Sequence, residues 1–199
     1  MALYSIWLWL CLLITVIISS NLATKPQAAT TKPKKTGPWL FLASSITYLH
    51  LTTRDLPLVT CVKAIPTSQD VKNRTLSQIV QFMLSSGEKR YEHVDYKPIM
   101  NRQRVKAFTF GSSATASNIT YIFYDNSTFE DSAVINMKNH TQEDVTEVWE
   151  LWVTNSFFKR THEDQAAYIA NYKKLCNCED PKQYKPEGCE DTSYKLIIL

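Results

Sequence analysis

The sequence predicts an all-β fold, an antiparallel barrel or sandwich, with one helix near its C-terminal end. Short runs rich in β-branched and aromatic residues recur along the chain, polar turn residues separate them, and a single helical pattern follows. The predicted strands are Ile46–Thr53, Leu58–Ile65, Leu76–Leu84, Arg104–Phe110, Ile119–Tyr124, Ala133–Met137 and Val148–Val153. Many short strands at such spacing are typical of a barrel or a sandwich.

The predicted helix has a cap at its start. Thr161 offers a hydroxyl to the first turn and Asp164 follows three residues later, in a weaker relative of the capping box. The apolar residues of Ala166–Leu175 spread over one broad face, and Cys176 ends the pattern. A last strand is predicted at Ser193–Leu199.

The first residues of the chain are predicted to precede the fold. Tyr4–Ile18 is an apolar run, shorter than the roughly 20 residues that a transmembrane helix needs. Small and polar residues follow it, so residues 1–20 are predicted to be a signal peptide. Residues 21–38, rich in Thr, Lys, Pro and Ala, are predicted to be a flexible basic leader to a single domain at 39–199. We therefore expect a secreted protein with no membrane segment after cleavage.

The cysteines predict two disulfides. Cys11 leaves with the signal peptide, and Cys61, Cys176, Cys178 and Cys189 remain, an even number for an oxidising compartment. Three pairings are possible. A bridge across one intervening residue is strained and closes a negligible loop, so physical reasoning alone favours Cys61 bonded to Cys176 or Cys178.

Four N-x-S/T sequons follow the predicted signal peptide. Glycosylation of at least two of them is expected, and it requires that these asparagines lie on the surface. The four acceptors are Asn73, Asn118, Asn126 and Asn139.

Composition and motifs exclude several classes of function. The net charge is only +3 and lysines concentrate in the leader, which argues against a nucleic-acid groove. The sequence has no nucleophile elbow, no zinc-protease motif and no Gly-rich phosphate loop, and it contains only four glycines. The four histidines lie on four different segments. We therefore predict no catalysis, no cofactor and no metal site, and expect a protein that binds a small molecule.

One predicted strand carries a carboxylate that suits a ligand site. Glu150 and Trp152 share one face of this strand and Leu151 lies on the other, but both faces are apolar, so periodicity does not decide which is internal. If Glu150 faces the lumen, an ammonium ligand would pair with it and Trp152 would add a cation–π contact. Pairing of Glu150 with an internal Arg104 or Lys106 stays open as the alternative.

Aromatic residues alternate on two neighbouring predicted strands. Phe108 and Phe110 lie on one strand, and Tyr121 and Phe123 lie on the next. Together they would line one wall of a barrel, where they suit an imidazole ring or a lipid chain. Core packing without a ligand is the other interpretation.

The order of these features resembles the tick salivary lipocalins of the histamine-binding family. The resemblance rests on Thr60-Cys61-Val62 in an early strand, Glu150-Leu151-Trp152-Val153 just before the single helix, and Cys189 near the end. It covers residues 39–199 and implies an eight-stranded antiparallel barrel with the C-terminal helix packed against it. It also implies a Cys61–Cys189 disulfide, and a secreted salivary protein that sequesters histamine or another biogenic amine and so suppresses host defence.

The sequence departs from the family pattern in one place. Where the family has a Cys-Asp-aliphatic triplet, this chain has Ser132-Ala133-Val134. With Cys61 bonded to Cys189, the missing cysteine would leave Cys176 and Cys178 either bonded to each other or with a free thiol. The missing acid would remove one carboxylate from an amine site. The resemblance also assigns ligand contact to Asp55, although an acid ahead of a proline is also an ordinary turn residue.

The sequence is also compatible with two other functions. One is a carrier of an apolar ligand such as a fatty acid, eicosanoid or sterol, which an aromatic lumen with few charges would favour. The other is a protein-binding immunomodulator with a filled barrel. In each case we expect a monomer.

Overall fold

The computed structural model describes residues 34–102, 104–112, 117–140 and 145–189, except the side chains of residues 111, 112 and 117. The described residues all belong to one compact unit, Pro33–Leu199. The predicted signal peptide, the first part of the predicted leader and the predicted strand Ser193–Leu199 lie outside the described residues.

Within the described residues, eight antiparallel strands close into a barrel. Each strand pairs with its neighbours in sequence, and β1 pairs with both β8 and β2, which closes the sheet. The strands are β1 Thr47–Thr52, β2 Val59–Asp70, β3 Thr75–Leu84, β4 Lys89–Asn101, β5 Arg104–Ser112, β6 Ser117–Thr128, β7 Ser132–His140 and β8 Val145–Thr154. An eight-stranded up-and-down barrel is the lipocalin architecture, so the predicted fold class is confirmed.

The remaining elements lie around this barrel. They are α1 Pro38–Ser44, α2 Asn155–Phe158, α3 His162–Cys176, a short strand β9 Lys182–Gln183 beside β1, and a 3-10 turn Pro186–Cys189. The Thr161 hydroxyl accepts the N–H of Asp164 at 3.2 Å and caps α3 as predicted. Among the described residues, no helix combines the length and the apolar character that crossing a bilayer requires.

Helix α3 packs on the outside of the barrel. Its Tyr172 is fully buried, and the Tyr172 hydroxyl donates a hydrogen bond of 3.0 Å to the backbone carbonyl of Trp149. Leu151 and Val153, on the outward face of β8, belong to the same apolar cluster. Strand β8 is therefore apolar on both faces because the lumen covers one and the helices cover the other.

Strand β4 is missing from the sequence prediction. It carries many charged residues because its outer face meets solvent, and most of its side chains are exposed. Only Val94 and Tyr96 are buried in it, and both belong to the main core. Two buried apolar positions among charged and exposed residues give too weak an alternation to predict a strand.

Helix α1 covers one end of the barrel, which we call the closed end. The turns after β2, β4 and β6 lie at this end, since alternate turns of an antiparallel meander share an end. Phe41 and Leu42 are buried there, and the Gln78 side-chain amide donates to the carbonyl of Leu42 at 2.8 Å. The indole N–H of Trp39 donates to the carbonyl of Thr75 at 3.3 Å.

The last residues of the predicted leader belong to the folded unit. Lys35 forms a β-bridge with Phe129. The N–H of Thr36 donates to the carbonyl of Thr128 at 3.2 Å. Residues that the sequence analysis assigned to the leader therefore contact the barrel, because a polar and proline-rich composition does not reveal pairing with a distant strand.

Two disulfides are present. Cys61 is bonded to Cys189 across a sequence separation of 128 residues, the pairing that the resemblance implies. Cys176 is bonded to Cys178. Physical reasoning from loop size favoured Cys61 with a helix-end cysteine, and that expectation is wrong: the C-terminal segment returns to β2 and places Cys189 beside Cys61.

The predicted glycosylation sites differ in exposure. Asn73, Asn118 and Asn126 are exposed, as an acceptor asparagine must be. Asn139 is half-buried. It is thus the least accessible of the four sequon asparagines.

Candidate ligand-binding site

The barrel contains an internal cavity of about 110 Å³. Arg54 and Leu56, from the loop after β1, contribute to its lining, so the cavity lies toward the end opposite α1. Most of the wall is apolar or aromatic. This part of the wall comprises Leu49, Leu56, Val62, Val80, Phe82, Val94, Tyr96, Phe110, Ile119, Tyr121, Met137 and Trp152. The polar part comprises Thr52, Arg54, Glu92 and Glu150.

Glu150 is a buried carboxylate on this wall. It is only 7% exposed, and its Oε2 accepts a hydrogen bond of 2.7 Å from the indole N–H of Trp152. The Tyr121 hydroxyl also hydrogen-bonds the carboxylate. Among the described residues, no lysine, arginine or histidine lies within ion-pair distance of it. A buried charge without a cationic partner is costly.

The surroundings of Glu150 act on its ionisation in opposite directions. Burial raises the pKa of Glu150 above its ordinary value. The hydrogen bonds from Trp152 and Tyr121 and the positive charge of Arg54 oppose this rise in pKa, but they do not cancel it. The free protein therefore holds this carboxyl more readily in its protonated form than a solvated glutamate.

The strand register places Glu150 inside the barrel. Glu150 lies opposite Thr52 of β1 and Ile135 of β7, which are both buried. Leu151 points the other way, into the cluster under the helices. This settles the question that periodicity left open, because a shift of one residue would exchange the two faces.

Neither Arg104 nor Lys106, the two predicted internal partners of Glu150, lies beside its carboxylate. Lys106 forms an ion pair with Asp125 on the outer surface. Arg104 is exposed at the closed end and lines a different groove. The alternative in which one of these residues neutralises Glu150 is therefore wrong.

The other predicted site residues separate into two groups. Tyr121 lines the cavity. Phe108 and Phe123 are buried in the core with ring centroids 6.1 Å apart, and neither lines the cavity. Alternation along a strand predicts which face a residue takes but not how deep in the barrel it lies.

Asp55 lies outside the cavity. Its side chain is 71% exposed and stands 4.0 Å from the ammonium of Lys182. It occupies the turn ahead of Pro57, where an acid is an ordinary turn residue. The ligand contact that the resemblance implied for Asp55 is thus not supported by its position.

Tyr96 is a cavity residue that the sequence prediction missed. Its ring centroid lies 5.0 Å from that of Phe110 and 6.1 Å from that of Tyr121. Burial, together with the nearby Glu150, raises the pKa of Tyr96, so its hydroxyl stays a neutral donor. The only sequence signal for it is the short alternation with Val94 on β4.

Arg54 and Glu92 were also missed, and they carry opposite charges. Both line the cavity although both are exposed, which places them at its rim.

Among the described residues, no group of His, Cys, Asp and Glu side chains could hold a metal ion.

Neither a protein-family model nor a curated protein sequence matches the chain. Among solved structures, the chain is similar to one described as "The Siderocalin Ex-FABP functions through dual ligand specificities". The identity is 12%, the TM-score is 0.47, and the match covers 68% of this chain and 85% of that one. The eight-stranded barrel with its C-terminal helix is the lipocalin fold, and the resemblance to the tick histamine-binding family stays a prediction.

Proposed function

We propose that this protein binds a small organic cation in its lumen, a biogenic amine such as histamine, with Glu150 as the counter-ion. One observation carries the proposal: Glu150 is a buried carboxylate on a mostly apolar cavity wall, with neutral donors but no cation within ion-pair distance among the described residues. An ammonium group would supply the missing charge.

The hydrogen bonds around Glu150 suit this role. Trp152 and Tyr121 each donate to the carboxylate, so its position is fixed before a ligand arrives. Such preorganisation lowers the entropy cost of binding. The rings of Tyr96 and Phe110 are positioned to contact the body of an aromatic amine.

The size of the cavity favours a small ligand over a lipid. Its volume of about 110 Å³ is below the range of roughly 300 to 1,000 Å³ that is typical of sites for drug-sized ligands. A fatty acid, eicosanoid or sterol would need the aromatic wall to move apart. The lipid-carrier alternative therefore has less support than the amine.

We further propose that the protein acts by sequestration, as a secreted monomer that holds a host mediator and performs no reaction on it. The two disulfides suit an oxidising compartment. The architecture suits the task, since eight-stranded barrels are wide enough to hold one small ligand.

Titration calorimetry and tryptophan fluorescence test the proposal. We expect histamine to bind, its alcohol counterpart with a hydroxyl in place of the ammonium to bind at least tenfold more weakly, and a long-chain fatty acid to give no signal. Glu150→Gln should abolish the preference for the ammonium compound. Glu147→Gln is the matched control, because Glu147 lies on the same strand but is exposed and pairs with Lys138 at 2.5 Å.

Equal binding of the amine and its alcohol would contradict the role of Glu150. Binding of the fatty acid alone would favour the lipid carrier. If none of the three compounds binds, the filled barrel with a protein partner becomes the better interpretation.

A further inference from the structure

A second concave surface lies on the outside of the closed end. It is a groove of about 690 Å³ between the segment that leads into α1 and the start of β5. Lys35, Arg74 and Arg104 line it together with Trp39 and Asn126. Arg102 adjoins it, since Arg102 and Arg104 line a neighbouring surface depression.

The arginines of this groove carry charge that is not neutralised. Among the described residues, no acid lies within ion-pair distance of Arg74, Arg102 or Arg104. The two acids that line the groove are each paired with a lysine, and one of these lysines, Lys34, also lines it. Glu130 pairs with Lys34 at 2.8 Å, and Asp125 pairs with Lys106. The groove is thus left with an excess of exposed positive charge.

Two of these arginines occupy backbone positions that ordinarily favour other residues. Arg74 has a φ of 57° and Arg102 a φ of 56°, both in the left-handed region that glycine and asparagine adopt most readily. The guanidinium of Arg74 lies 5.1 Å from the centre of the Trp39 ring, which holds it at the groove. Turn chemistry alone therefore does not account for arginine at either position, and strained positions of this kind often have a functional role.

We propose that this groove binds a linear sulfated polysaccharide of the glycosaminoglycan type. The sulfate and carboxylate groups of such a chain match arginine forks, which bind oxyanions with two parallel hydrogen bonds. The cations come from two turns at the closed end and from the segment before α1, and they line two neighbouring depressions that share Arg104. A chain-like polyanion can contact them in sequence.

The shape of the surface favours a polysaccharide over an anionic membrane. Arg74 and Arg104 line a concavity, which a single chain can enter but a flat bilayer surface cannot. The groove lies at the closed end, whereas Arg54 and Leu56 place the lumen toward the opposite end. The protein can therefore hold an amine and a glycan at the same time.

The test compares Arg74→Asn/Arg102→Asn with a control of equal charge, Lys159→Gln/Lys174→Gln, whose lysines are exposed on other elements. All proteins are the secreted full chain with Asn126→Gln, because Asn126 lines the groove and is itself a predicted glycan acceptor. Binding of a heparin oligosaccharide is measured between about 50 and 200 mM salt, the range over which polyanion contacts weaken strongly.

We expect the arginine variant to bind heparin about tenfold more weakly than the parent. The slope of log Kd against log salt should decrease by about two, which is about one for each contact removed. Its Tm should equal or exceed that of the parent, because asparagine tolerates the left-handed backbone. Amine binding in the lumen should not change, which separates this proposal from the first. Equal heparin affinity in the two variants would overturn it. The proposal would also be overturned if the protein binds phosphatidylserine vesicles through these arginines and does not bind heparin.

Discussion

The indole of Trp152 donates a hydrogen bond of 2.7 Å to the carboxylate of Glu150, two residues earlier on the same strand. Side chains two apart in a strand share a face, so the pair needs only local geometry to form. Tyr121 on β6 adds a second donor from another part of the wall. The carboxylate is therefore held in place by neutral groups, and its charge is left for a ligand to balance.

This arrangement predicts a conflict between stability and binding. Glu150→Gln keeps an acceptor for Trp152 and Tyr121 but removes the cost of a buried charge. We expect the unliganded variant to gain about 1 kcal/mol, or roughly 2–4 °C in Tm. Thermal unfolding with and without histamine measures both effects. The amine should raise the Tm of the parent and of Glu147→Gln but not of Glu150→Gln, and a lower Tm for unliganded Glu150→Gln would contradict the prediction.

The raised pKa of Glu150 predicts how the free protein responds to pH. Because the folded state favours the protonated carboxyl, this group contributes stability at acid pH. That contribution is lost as the pH rises from the ordinary glutamate range through the raised pKa. Urea unfolding of the parent and of Glu150→Gln across this range isolates the effect. The difference in stability between them should widen as the pH rises, and a constant difference would argue against a raised pKa.

Amine binding should release protons. An ammonium beside Glu150 favours the carboxylate, so binding lowers the pKa of this group and affinity falls as the pH drops through the pKa of the free protein. Phenethylamine is a suitable probe because its ammonium does not titrate in this range. Calorimetry in two buffers of different ionisation enthalpy should show proton release by the parent and none by Glu150→Gln. Heats that do not depend on the buffer at any pH would exclude Glu150 as the counter-ion.

A partly buried ion pair just before helix α3 gives another prediction. Asp131 is 3% exposed and pairs with Arg160, and the Tyr168 hydroxyl lies 3.5 Å from its carboxylate. We expect Asp131→Ala to cost about 2 kcal/mol, less than the 3–5 typical of fully buried pairs, because Arg160 keeps some access to water. Denaturant unfolding measures this cost. Glu130→Ala is the control, since the neighbouring Glu130–Lys34 pair is exposed and its loss should leave the Tm unchanged.

The barrel and its helix were predictable because their signals are local. Alternation of apolar and polar residues predicts strands with one solvent-exposed face, and Thr161 predicts the start of α3. Strand β4 was not predicted because its outer face is charged and only Val94 and Tyr96 are buried on its inner face. For Trp39–Ser45 the sequence is compatible with a short helix or a turn, and the structure has a helix there, Pro38–Ser44.

The site was predictable only in part. Sequence spacing showed that Glu150 and Trp152 share a face, but the register that turns this face inward depends on β1 and β7. The depth of a residue in the barrel depends on strand stagger, which a single strand does not encode. Phe123 was therefore predicted to be a ligand contact and lies in the core, whereas Tyr96 was missed.

The two disulfides should differ widely in their effect on stability. The Cys61–Cys189 bond closes a loop with a sequence separation of 128 residues, and Cys61 is fully buried. In the chain-entropy model, replacing both cysteines by alanine costs roughly 4 to 5 kcal/mol, because the unfolded chain regains the freedom of a long loop. The Cys176–Cys178 bond spans a single residue, so the corresponding double variant should lose about 2 kcal/mol or less.

Reversible denaturant unfolding of the two double-alanine variants tests this difference. Peptide mapping of the non-reduced parent must first show a linked peptide that contains Cys61 and Cys189, and thiol titration should find no free cysteine in the folded mature protein. Similar losses in the two variants would mean that the unfolded chain is compact enough to make loop length unimportant. A linked peptide that joins Cys61 to the Cys176–Cys178 segment would overturn the pairing itself.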